Sequence, residues 1–216
     1  MVSNVRLSTV PRKASREQRR LQLIESTIAT IARKGYAQTT LTDVARAAGL
    51  SHGLVNFHFQ TKEQLLTETL LFLAAEYQDN WRAALAAAPD SPAAQIDALI
   101  RADFNPAICS QDRLAAWCAY WGEAQSRPIY QQECGGNDRE YNLTLENICA
   151  RLIAEGNYGH DPVRIARIIR VTTEGVWLDI MSLKTPYSLD EAFATVYVCA
   201  AALFPKHFST AGPIKA

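Results

Sequence analysis

Apolar residues recur at intervals of three and four along most of the chain, and the runs are bracketed by residues that start or stop helices. Residues 15–34 predict a first helix, closed by Gly35. Thr40, with Asp43 three positions on, forms a capping-box-like pair that opens a second helix with Leu41, Val44, Ala45 and Ala48 on one face. Gly49 stops it, since glycine enters the left-handed conformation without a Cβ clash. Ser51 caps a third helix whose Leu54, Val55, Phe57 and Phe59 form its apolar set, leaving His52, Gly53, Asn56 and His58 for an outer surface. Thr61 with Gln64 opens a fourth helix from 62 to about 88, and Pro89 and Pro92 bracket the turn after it. A fifth helix follows over 92–103, and a sixth, capped by Asp112, ends before Pro128. The seventh spans 129–155. Gly135 and Gly136 each cost about 1 kcal/mol there relative to alanine, which leaves its continuity open. Asp161 and Pro162 open an eighth helix to about 183, and Ser188 with Glu191 opens a ninth that ends before Pro205.

Two short helices around a glycine turn, with a third start signal behind them, have the rhythm of a DNA-reading helix-turn-helix. The same rhythm occurs in helical proteins that never touch DNA. More specific is the set Gly35, Thr39, Thr40, Val44, Ala45, Ala48, Gly49, Leu50, Ser51, Gly53, His58, Phe59, Lys62 and Leu65, which resembles the N-terminal domain of the TetR family over roughly residues 15–66. The resemblance implies an all-α protein of about nine helices. A three-helix helix-turn-helix DNA-binding domain would occupy 15–61, and a larger helical ligand-binding and dimerisation domain 62–205. Residues 1–14, with Pro11, Arg12 and Lys13 and no apolar run, read as a disordered basic arm rather than a signal peptide, and 206–216 as a flexible tail. Candidate DNA contacts are Arg16, Arg20, Thr40, Thr42, Ser51, His52, Gly53, Leu54, Asn56, His58 and Lys62. Lys62 sits in the first turn of the fourth helix, where backbone N–H groups already favour an anion, and is the expected phosphate contact.

Charge supports this division. The net charge is zero, yet residues 1–65 carry ten Arg or Lys against four Asp or Glu, and residues 66–216 carry twelve against eighteen, giving +6 and −6. A basic reading end is drawn to phosphates, while the acidic remainder is repelled by the same duplex. The longest apolar run, residues 194–204, is too short and too polar to span a bilayer, so a cytoplasmic protein is expected. Cysteines at 109, 118, 134, 149 and 199 are odd in number and lack CxxC spacing, which argues against a disulfide framework and a zinc site. No cofactor is expected. Histidines at 52, 58, 160 and 207 fit no metalloprotease pattern, and the chain has neither GxSxG nor a phosphate-cradling glycine loop, which leaves a helical enzyme a weak alternative.

The eighth helix carries Ile165, Ile168, Ile169, Thr172, Val176 and Ile180, and the ninth Phe193, Val196, Tyr197, Ala200 and Phe204. The family resemblance implies that these helices pair with their copies in a homodimer reading a palindromic double-stranded operator. All four tryptophans lie outside the DNA-reading half: Trp81, Trp117, Trp121 and Trp177. Together with Phe104, Tyr120, Tyr130 and Glu174 they are the candidate ligand residues. Tryptophan faces attract cations by roughly 0.5–2 kcal/mol each, so a converging set would suit a quaternary ammonium with Glu174 as counter-charge. Equally, such rings can be ordinary core, and Glu174 can pair with Arg170 at i and i+4. The runs from Leu114 to Tyr130 and from Glu174 to Ile180 resemble the choline-responsive betaine-regulator (BetI) branch, with EGVW standing where that branch carries a DGxW-type motif. That resemblance implies a repressor released by choline or a related cation, with the fourth helix, running from Lys62 to Trp81, as the lever. A thiol-based redox sensor using Cys109, Cys118, Cys134 or Cys149 is the alternative.

Overall fold

The computed structural model describes residues 15–124, 128–185 and 188–214; the expected basic arm and the last two residues of the expected tail lie outside them. Among the described residues the order is α1 (Arg16–Lys34), α2 (Leu41–Ala48), α3 (His52–His58), α4 (Lys62–Ala87), α5 (Pro92–Asp103), α6 (Gln111–Ala124), α7 (Pro128–Gly156), α8 (Pro162–Ser182), α9 (Leu189–Leu203) and a short antiparallel hairpin of β1 (Phe208–Ser209) and β2 (Gly212–Pro213). The start signals act as the sequence indicates. Hydroxyls of Thr40, Ser51, Thr61 and Ser188 accept from the N–H groups of Asp43, Leu54, Gln64 and Glu191, and the Asp161 carboxylate accepts from Val163 and Arg164. Ser15 and Gln18 form a reciprocal capping box. Gly49 is left-handed, at φ 65° and ψ 31°. Asp112, in contrast, lies in the first turn of α6, and Ser110 provides the hydroxyl that accepts from Arg113 N–H.

Two hydrophobic cores result. The first joins Leu23, Ile24, Ile28 and Ile31 of α1 to Val44 and Ala45 of α2, Val55 of α3 and Phe59. It then takes in Leu65, Leu66, Leu70 and Leu73 of α4, and Trp117 and Tyr120 of α6. The second is built from α5, α7, α8 and α9, with Trp81 from the far half of α4 and Leu114 from the start of α6. The chain therefore does not divide sharply at residue 62, because α4 and α6 each contribute to both cores.

The continuity left open for α7 is resolved, and some expectations need correction. α7 runs unbroken through Gly135 and Gly136, since Cys134 and Tyr141 are buried on either side and hold the helix in register. Residues 206–214 are not a free tail: Phe208 is buried in the second core and Lys206 Nζ donates to Gly156 O at 2.6 Å. Most apolar residues of α8 and α9 fill their own subunit's core. Of the expected set Ile168 stays outside, and Val171, Leu178 and Val198 join it on the exposed face, Val171 and Val198 being 52% and 54% exposed. Phe57, assigned to the inner face of α3, is 64% exposed, because it lies about 200° around the helix from buried Val55.

A Cβ at Gly136 would meet nothing within 4 Å, and its φ is not in the left-handed range. Gly136→Ala is therefore expected to stabilise the protein by about 0.5–1 kcal/mol in urea unfolding, whereas a loss of stability would show that α7 needs the glycine.

Candidate effector cavity and DNA-reading surface

Thr42, His52, Gly53 and Asn56 are exposed on α2 and α3, with the caps Thr40 and Ser51 exposed beside them. Leu54, His58 and Lys62 are half-buried. Asn56 Nδ2 donates to His52 Nδ1 at 3.2 Å, so these two outward side chains lie together. Arg16 is exposed and sits over the Phe57 ring, 5.5 Å from its centroid. Arg20 is less free: its guanidinium pairs with Glu68 and packs on Phe59. Lys62 Nζ donates to Ala37 O at 2.8 Å. The Lys34 ammonium, 2.7 Å from Asp43, and the Thr40 hydroxyl hold the Asp43 carboxyl below the usual carboxylate range, which ties the end of α1 to α2.

A cavity of about 440 Å³ opens between the two cores, lined by Trp81, Trp117, Trp121 and Trp177, all of the chain's tryptophans. Tyr77, Tyr130 and Tyr141 add three more rings. Tyr77 meets Trp117 and Trp177 edge to face at 6.5 and 5.9 Å, and Trp81 meets Tyr141 at 5.5 Å. Trp121 Nε1 donates to Tyr130 Oη at 2.9 Å. Polar lining comes from Asn137, Asp138 and Asn142 of α7 and from Arg170 and Glu174 of α8, whose side chains pair at 2.6 Å. The Glu174 charge is thus already matched, and Asp138 adds a second carboxylate.

Behind the rings lies Asp103, 3% exposed. Tyr77 Oη donates to its Oδ1 at 2.9 Å and Tyr141 Oη to its Oδ2 at 3.2 Å, while Trp177 Nε1 donates to its backbone oxygen at 3.0 Å. Burial pushes this carboxyl up to about 7, more than the two hydroxyls draw it down. Burial also raises the thiols, Cys109 to about 11 and Cys134 and Cys149 to about 12, with Cys118 shifted the same way. A reactive thiol needs the opposite shift.

The wall of the cavity reaches the DNA-reading half through α6. One turn before Trp117, Arg113 donates to Glu76 of α4 at 2.7 Å and to Glu25 of α1 at 2.9 Å. Tyr120 Oη donates to Leu66 O at 2.7 Å, and its ring meets Tyr36 edge on.

Residues 23–69 match bacterial regulatory proteins of the tetR family, and residues 92–205 match the C-terminal domain of BetI-type transcriptional repressors. The chain belongs to the TetR family, in its BetI-type branch. HTH-type transcriptional regulator BetI 2 of Chromohalobacter salexigens is 30% identical over 186 residues, covering 86% of this chain and 87% of that protein. A transcriptional regulator from Pseudomonas aeruginosa PAO1 shares the fold at TM-score 0.73 and 26% identity, with 88% of this chain and 90% of that one covered. A regulator from Saccharomonospora viridis, solved in complex with choline, aligns at TM-score 0.67 and 19% identity over 82% of this chain and 92% of that one. These TetR and BetI relatives are DNA-binding transcriptional regulators, not enzymes, and so is the present chain. Among the described residues no helix is long and apolar enough to cross a membrane.

Of the ligand candidates, the structure brings Trp81, Trp117, Trp121, Tyr130, Glu174 and Trp177 to the cavity. Phe104 and Tyr120 do not line it. Phe104 packs on Phe193 of α9, and Tyr120, one residue before Trp121 and about 100° around α6, faces α1 and α4. Sequence reasoning missed Tyr77, Tyr141 and Asp103. The identities of Tyr77 and Tyr141 offered no signal, although each stands on the apolar stripe of its helix.

The raised Asp103 carboxyl makes a prediction for the empty protein. Folding favours its neutral form, so that stabilisation is full below its unfolded value, near 3.8, and is lost as pH rises through about 7. Thermal melts between pH 5 and 8 should show a falling Tm that Asp103→Asn flattens; parallel slopes in the two proteins would contradict the assignment.

Proposed function

We propose that this TetR-family regulator is a homodimeric repressor whose palindromic operator is released when a quaternary ammonium compound, with choline the best candidate, enters the aromatic cavity. The observation that carries the reading is the convergence of all four tryptophans and three tyrosines on one cavity between the two cores. No hydrogen bond can hold a quaternary ammonium, whereas ring faces attract it by roughly 0.5–2 kcal/mol each. The carboxylates of Asp138 and Glu174 outnumber Arg170 in the lining, which favours a cation. Kinship with the BetI branch and the choline-bound Saccharomonospora viridis neighbour point the same way. Choline is a small molecule, and a cavity of about 440 Å³ has room for it with water or for a larger amine. The protein would act in the cytoplasm, where operator DNA lies.

Dimerisation fits the apolar strip of Ile168, Val171, Leu178 and Val198 on α8 and α9, which stays exposed among the described residues. Two copies would set two α3 helices about one DNA turn apart. Release follows from linkage, because the effector must bind the arrangement that cannot hold DNA better than the one that can. The lever is α6 together with α4. Trp117 and Trp121 face the cavity, while Arg113 and Tyr120 of the same helix grip Glu25 of α1 and the Leu66 turn of α4. A rotation of α6 around an occupant would thus move the platform beneath α2 and α3.

Three measurements check this. Choline titrated into the protein should quench tryptophan fluorescence saturably and weaken operator binding; no response at millimolar choline or betaine aldehyde would remove the effector assignment. Lys62→Ala should weaken binding to all DNA sequences and reduce the salt slope by about one, while His52 and Asn56 substitutions should change operator preference. Arg113→Met should keep choline binding while reducing its effect on DNA affinity; unchanged coupling would rule out α6 as the lever.

A further inference from the structure

We propose that Asp103 is a proton-linked counter-charge behind the aromatic cage, so that a cation entering the cavity expels the proton held by this carboxyl group. The inference rests on the cation reading of the cavity and adds regulation by pH to it. Tyr77 from α4 and Tyr141 from α7 both line the cavity, yet both turn their hydroxyls away from it onto the two oxygens of one buried carboxyl. Trp177 from α8 is fixed by its indole N–H to the backbone oxygen of the same residue. Three rings of the cage are therefore oriented by a single residue that the effector does not touch. When that carboxyl is ionised, each phenol shares its proton with an anion, which raises the electron density of the ring face presented to the cavity. A cation on that face then favours the ionised form, and by reciprocity ionisation favours the cation.

The surroundings leave the proton free to respond. The groups that face Asp103 are Tyr77 on α4, Tyr141 on α7, Glu174 on α8 and Cys109 in the segment after α5. Glu174 opposes its ionisation but is itself paired with Arg170. Among the described residues no lysine or arginine pairs with Asp103, so burial is unopposed by an ion pair and its ordinary value is displaced to about 7. The four histidines line no part of the cavity. Asp103 is a positioning residue in this scheme, since it acts only through the rings.

The test is calorimetry on the full chain with choline and with tetramethylammonium, each at pH 6, 7 and 8 in two buffers of different ionisation enthalpy. A group titrating near 7 predicts proton release on binding at pH 6 and affinity rising about tenfold from pH 6 to pH 8. Asp103→Asn, which can still meet both tyrosines, should abolish the slope, whereas Asp138→Asn at the cavity lining should retain it. If the asparagine protein does not fold, the proton count of Asp138→Asn decides, because a release that survives there does not come from Asp138. Affinity independent of pH, or a slope that survives Asp103→Asn, overturns the proposal while leaving the cation reading intact. Tetramethylammonium binding with the slope and choline silent supports it and removes only choline as the effector. Failure of both cations to bind at any pH overturns both.

Discussion

Two helices, α4 and α6, have to satisfy both cores at once, and the rest of the architecture depends on them. α6 sends Leu114 into the core of the C-terminal bundle and Ala116, Trp117 and Tyr120 into the core beneath the DNA-reading helices. Close packing makes such an element bistable rather than elastic, because interior side chains have little room to deform gradually. Under the proposed function, a ligand that altered the seating of Trp117 or Trp121 would alter how α1 is held. Arg113, bridging two carboxylates on two other helices, makes that seating directional as well as tight.

The second constraint is electrostatic. A ring-lined cavity is a costly place for unpaired charge, and the carboxylates in and behind this one stand at graded depths. Glu174 is neutralised by a neighbour one turn away, Asp138 is exposed, and Asp103 is sealed behind two phenols. The same arrangement that puts two carboxylates at the cavity lining leaves a third acid deeply buried behind it.

Much of the fold was legible in the sequence because its signals are local. Caps at Thr40, Ser51, Thr61, Asp161 and Ser188, and the left-handed Gly49, act within four residues of themselves and place helix boundaries whatever the tertiary context. The paired glycines of α7 left its continuity undecided, and packing around Cys134 and Tyr141 outweighs a deficit of about 1 kcal/mol per glycine. The cavity was half legible. Tryptophans announce themselves by size, whereas Tyr77, Asp103 and Tyr141 gain their meaning only when helices 26 and 38 residues apart in sequence are brought together. Tyr120 was misplaced for an angular reason: adjacent residues on a helix face different ways. The hairpin after α9 was hidden because its signal, a lone Phe208 among polar residues, is weaker than the composition around it.

The bond between His52 and Asn56 has a consequence for what α3 can recognise. An amide nitrogen only donates, so this contact pairs with an Nδ1 lone pair on His52, the tautomer whose ring hydrogen sits on Nε2. The pair then offers one outward N–H from the imidazole and one carbonyl lone-pair acceptor from Asn56. That pattern is the complement of a base edge showing an acceptor beside a donor, as adenine does in the major groove. His52 and Asn56 therefore present their polar atoms as one coupled unit rather than as two independent side chains.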